Sequence, residues 1–139
     1  MNSKPLYGGA ITAPVPDNYL DASDIRPIPD TQEVFISPDS PASIIFDLLE
    51  PVPEEDALLS HIDDITNLHD SPFKIIERND NMAIVEQVVP YQGSVRMAIG
   101  LIRLEKGNAD AVITWNHGSL DELANIINNF KVLDWNLFS

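Results

Sequence analysis

Four carboxylates, Asp21, Asp24, Asp30 and Glu33, fall within thirteen positions, with one base, Arg26, and one amide, Gln32, among them. Carboxylates this dense can do two kinds of chemistry. They can steer a cationic surface and grip its lysines or arginines through charge-assisted hydrogen bonds. Alternatively, a pair of them can share general acid and base duties in a hydrolase of the glycosidase type. No nucleophile arrangement, metal-ligand spacing or glycine-rich loop accompanies these acids, which favours gripping a partner over turnover, and no cofactor is expected. The bland alternatives are local: Asp21 as a helix cap, Arg26 as a surface ion-pair partner worth a few tenths of a kcal/mol.

The elements that must position the acids can be read from their neighbours. Pro27 and Pro29 fix their own φ and bias Arg26 and Ile28 away from the helical region, so the chain reaches Asp30 extended. Asp30 and Glu33 have the spacing of a helix capping box. The next residues, however, are Val-Phe-Ile-Ser-Pro, β-branched and aromatic and ended by Pro38, which predicts a strand. Asp30 and Glu33 are therefore expected on the lip of a sheet. Residues 21–26 read as a short helical turn capped by Asp21 or Ser23. Residues 43–50, confined by Pro41 and Pro51, read as a strand antiparallel to 33–37 across the Pro38-Asp39-Ser40-Pro41 connector, with Phe46 or its neighbours turned to the core.

The charge balance narrows the partner. With 22 acids against 8 bases the formal net charge is −14, and the first sixty residues hold 11 acids and 2 bases against 11 and 6 in the rest. Nucleic acids and anionic membranes demand basic patches, so neither is an expected partner; a charged partner should be basic. Such acidity also keeps a small domain in solution as a monomer. The absence of cysteine excludes disulfides and thiolate metal sites and permits a reducing, intracellular home. No secretion signal or long apolar run is evident, and a chain of 139 residues is expected to form a single domain, 1–139.

Elsewhere the pattern supplies a scaffold. Residues 7–15 suggest a first strand ended by Pro14 and Pro16, with Gly8 and Gly9 there for close backbone packing or a bulge; no Walker lysine comes after them. Residues 53–68 have helical periodicity after the acidic start Glu54-Glu55-Asp56. His61 and His69 in that stretch sit two turns apart, about 12 Å along the axis, too far for one ion, and are expected as partly buried helix-face histidines. Residues 73–78, 82–89, 95–104 and 109–115 read as consecutive antiparallel strands, with a clear hairpin signal at Lys106-Gly107-Asn108. Ser119 and Glu122 then form a capping box opening a helix with Leu123, Ile126, Ile127 and Phe130 on one stripe, and residues 132–138 should dock on the sheet. The sum is an α+β domain: an antiparallel sheet of about six strands flanked by helices.

Longer strings carry a likeness. Leu-Tyr-Gly-Gly-Ala-Ile at 6–11, Asp-Ala-Ser-Asp-Ile-Arg at 21–26, Pro-Asp-Thr-Gln-Glu-Val at 29–34 and Ser-Ile-Ile-Phe-Asp-Leu-Leu-Glu at 43–50 resemble, in that order, the Mog family of Ran guanine nucleotide release factors; 101–104, 110–113 and 134–138 match again. The resemblance implies a fold shared with the PsbP proteins of photosystem II, a single Ran-binding domain without catalysis of its own, and a role in nuclear import in the nucleus and cytoplasm. It also implies an interaction surface for the GTPase Ran at Asp30 and Glu33, with Asp21, Asp24, Arg26 and Gln32 alongside. The chain is shorter than the family pattern, mainly between Leu68 and Val95. A PsbP-like acidic scaffold binding a membrane complex or calcium is the remaining reading, although Asp21, Asp24 and Asp30 do not follow a calcium-loop spacing.

Overall fold

A computed structural model describes residues 1–139, the His69 side chain excepted. Strands β1 (Asn2–Leu6) and β2 (Ile11–Val15) form a hairpin. A two-residue strand, β3 (Leu20–Asp21), precedes β4 (Gln32–Ile36) and β5 (Ser43–Leu49). Helix α1 (Ala57–Thr66) leads to β6 (Phe73–Arg78), β7 (Met82–Val89), β8 (Gly93–Leu104) and β9 (Ala109–Asn116). Helix α2 (Leu120–Asn128) and the short β10 (Lys131–Val132) close the chain. Seven strands make one antiparallel sheet in the order β3-β4-β5-β9-β8-β7-β6, and β1-β2-β10 make a second, smaller sheet.

The layers arise from the alternation of side chains along each strand. One face of the large sheet packs Phe35, Phe46, Ile113 and Trp115 against the small sheet and α2, through Ile11, Ala13, Leu123 and Ile126. The other face packs Val85, Met97, Ile99 and Val112 against Leu58 and Ile62 of α1. This is the expected α+β class with a helix on each side. Helix α2 opens as its capping box predicts: Glu122 N–H donates to Ser119 Oγ at 3.2 Å, and Ser119 Oγ lies 3.1 Å from the Glu122 carboxylate.

Several expectations need correction. The first strand begins at Asn2, not at Tyr7. Pro5 and the polar residues around it mask a strand that is tolerated because β1 lies at an edge. Residues 7–9 are instead the turn of the hairpin, with Tyr7, Gly8 and Gly9 at φ of +53°, +70° and +93°. Glycine serves that backbone rather than close packing, since nothing lies within 4 Å of a Cβ added at Gly8 or Gly9. Helix α1 starts only at Ala57, capped by the Asp56 carboxylate accepting from Leu59 N–H, so Glu54 and Glu55 precede the helix instead of forming its first turn. His61 is not partly buried but 2% exposed. The expectation for the His69 side chain lies outside the described residues. At the far edge, β6 changes register against β7 between Ile75 and Glu77, a bulge that leaves Ile76 outside the ladder.

Candidate acidic interaction site

The site forms where β4 begins, beneath the turn of the small hairpin. Thr31 carries a carbonyl that accepts from Leu48 N–H, at 2.9 Å, and from the Tyr7 hydroxyl, also at 2.9 Å. The same hydroxyl reaches the Phe46 carbonyl at 3.2 Å. Tyr7 N–H donates to a Glu33 carboxylate oxygen at 2.7 Å. Tyr7 therefore ties the hairpin turn to both strands, with its own backbone in the left-handed region. Burial, reinforced by the charges of Asp47 and Glu33, pushes the Tyr7 phenol well above its ordinary range, so it stays a neutral donor.

Register separates the neighbouring polar residues. Glu33 pairs with Phe46 on the face that carries the small sheet, and Gln32 pairs with Asp47 on the face that carries α1. Gln32 Nε2 donates to Asp47 at 3.2 Å. Burial raises the Glu33 carboxyl above its ordinary value, the Tyr7 N–H pulls it back, and the Asp21 charge raises it further. Asp47 is raised by burial and lowered by its bond to Gln32 and by the nearby Thr31 and His61 side chains.

The six residues singled out by sequence fall into three groups. Asp30, Gln32 and Glu33 line one cleft of about 340 Å³ with Tyr7, Ile28 and Leu137. Asp21 caps the following turn, its carboxylate accepting from Ser23 N–H at 2.9 Å and from Ser23 Oγ at 2.7 Å, and its charge reaches Glu33. Asp24 and Arg26 are exposed and do not line the cleft, and among the described residues Arg26 has no ion-pair partner. Asp30 is exposed, with its carboxylate open to an incoming group. Glu33 is half-buried and presents one bonded oxygen, the other having no partner among the described residues.

Sequence reasoning missed Tyr7, which stood in a quoted motif without a role, and Leu137, which reaches the cleft from the far end of the chain. It also missed a buried polar cluster behind the site. His61 Nε2 lies 2.8 Å from Asp110, whose other oxygen is 2.7 Å from Arg103 Nε, close enough for an ion pair though off the line of a hydrogen bond. Val52 N–H and Arg103 complete the surround. An acid inside the apolar run Ala109 to Trp115 was the available signal, because a carboxylate buried there must have a partner. Among the described residues no group of three or more metal-ligating side chains converges, and no helix is long and apolar enough to cross a membrane.

Comparison with known proteins gives one answer. A family model described as Ran-interacting Mog1 protein matches residues 4–118. The nuclear import protein MOG1 of Saccharomyces cerevisiae is 31% identical over an alignment of 188 positions, spanning all of this chain and 86% of the yeast protein. That alignment is longer than this chain, so the yeast protein carries insertions relative to it. The Ran guanine nucleotide release factor of Danio rerio is 40% identical over 90 residues, 62% of this chain and 47% of that protein. The crystal structure of the S. cerevisiae Ran-binding protein Mog1p superposes with a TM-score of 0.84 at 29% identity, each chain covered in full.

Proposed function

Since the chain belongs to the Ran-interacting Mog1 family, we propose that it binds the GTPase Ran through the lip formed by Asp30 and Glu33, with Asp21, Asp24, Arg26 and Gln32 alongside. It promotes release of guanine nucleotide from Ran and so supports nuclear protein import. The protein is a non-catalytic regulator: it makes and breaks no covalent bond, and acts by binding nucleotide-free Ran more tightly than the loaded form. Carboxylates docked beside the nucleotide pocket compete for the cations that hold the phosphates, which supplies that preference. It works as a monomer in the nucleus and cytoplasm. Its net charge of −14 disfavours nucleic acid and anionic membranes as competitors.

The observation that carries this reading is the pairing of an open carboxylate at Asp30 with one at Glu33 held in place by the Tyr7 amide. A preset acceptor loses less freedom on binding than a free side chain. The test is release of labelled nucleotide from Ran with Asp30→Lys and Glu33→Lys proteins. Release slowed toward the unassisted rate is expected, and a rate equal to that of the native protein counts against the proposal.

A further inference from the structure

The cleft holding Asp30 and Glu33 is one of two that meet at Tyr7. The second, of about 450 Å³, shares Tyr7, Asp30 and Leu137 with the first and continues past them over Leu48, Leu49 and Phe138. Its charged lining is Asp30 and Glu50, both acidic, with no base. Leu49 and Leu137 are each 36% exposed, more than aliphatic side chains in a closed core. The far wall is fixed: the Phe138 ring packs so closely on Gly107 that a Cβ there would lie 2.6 Å from it. Apolar floor, acidic rims and continuity with the acid lip occur together.

We infer that the Ran-binding surface extends across Tyr7 into this groove, which receives an apolar side chain carried beside the cation on one surface element of the GTPase. The inference rests on the function proposed above. Two side chains on one element, a base and an aliphatic or aromatic residue, match the two compartments in chemistry: the base faces Asp30 and Glu33, and the apolar group covers Leu48, Leu49 and Leu137. The charged half sets the rate and orientation of encounter. Desolvation of the leucines sets how long the complex lasts.

The experiment measures affinity of the full chain for nucleotide-free Ran as a function of salt, for native, Asp30→Lys, Leu49→Ser and Leu137→Ser proteins. Both serine variants should bind roughly tenfold more weakly with the salt dependence unchanged. Asp30→Lys should weaken binding and flatten the salt dependence. Thermal melts check that each variant folds; the exposure of Leu49 and Leu137 makes two separate readings available should one fail. Serine variants that bind like native while Asp30→Lys loses Ran would overturn the groove and leave the lip standing. Asp30→Lys binding like native would remove the lip and the groove with it. Self-association abolished by Leu49→Ser, with Ran affinity unchanged, would assign the groove to a second copy of this chain and likewise overturn the inference.

Discussion

The main-chain amide of Tyr7 and the carboxylate of Glu33, 26 residues apart in sequence, are joined by a 2.7 Å hydrogen bond that fixes one edge of the acidic lip. The bond holds a carboxylate where burial and the Asp21 charge disfavour its ionised form. The folded chain therefore ionises Glu33 less readily than the unfolded chain does. Its contribution to stability is greatest below the ordinary value of 4.5 and declines as pH rises through the raised value. Asp47, raised by burial, has the same sign. Replacing Glu33 by Gln keeps an acceptor for the Tyr7 amide and removes the titration. Urea unfolding between about pH 4 and about pH 7 should then show a shallower fall in stability than the native chain. The same variant should bind Ran about tenfold less tightly, because a charged acceptor is lost.

Tyr7→Phe separates the hydroxyl from the backbone amide. It leaves the bond to Glu33 intact and strips the Thr31 and Phe46 carbonyls of a donor. A loss of about 1 kcal/mol in urea unfolding is expected. The pH dependence due to Glu33 should be retained, which would distinguish this variant from Glu33→Gln.

Asp110 has no exposed surface and sits between His61 and Arg103. Asp110→Ala should cost about 3 to 5 kcal/mol, since it leaves His61 buried without its partner. Adding His61→Leu should recover part of that loss, because an apolar replacement of a whole buried pair is far cheaper than breaking it. A double-mutant cycle in chemical denaturation measures the coupling.

A Cβ at Gly118 would lie 2.5 Å from Cγ of Trp115, whose indole N–H reaches the Tyr19 hydroxyl at 3.3 Å. Gly118→Ala should destabilise by about 1 to 3 kcal/mol through overpacking. A change in the environment of Trp115, read by its fluorescence, should accompany the lower melting temperature.

Much of this organisation was readable in the chain because it is local. Pro38 and Pro41 bracket the connector between β4 and β5, Ser119 and Glu122 cap α2, and the hairpin signalled by Lys106-Gly107-Asn108 joins β8 to β9, with Asn108 left-handed at φ +50°. The clustering of Asp30, Gln32 and Glu33 was legible for the same reason, whereas Asp24 and Arg26 of the same stretch do not join them in the cleft. What escaped is held by distance. The role of Tyr7 depends on a strand 26 residues away, and that of His61 on an acid 49 residues away. Neither contact leaves a mark in periodicity or composition. The strand Asn2–Leu6 escaped because Pro5 argues against sheet unless the neighbouring edge is known to be empty.

The bulge between Ile75 and Glu77 bears on how the protein behaves when crowded. A straight outer strand offers its spare amides and carbonyls as a template on which further molecules can add, the first step toward fibrils. Strand β6 breaks its regular spacing at Ile76 and surrounds it with Lys74, Glu77 and Arg78. The template is thereby interrupted at the edge of the large sheet opposite the one beside its acidic lip.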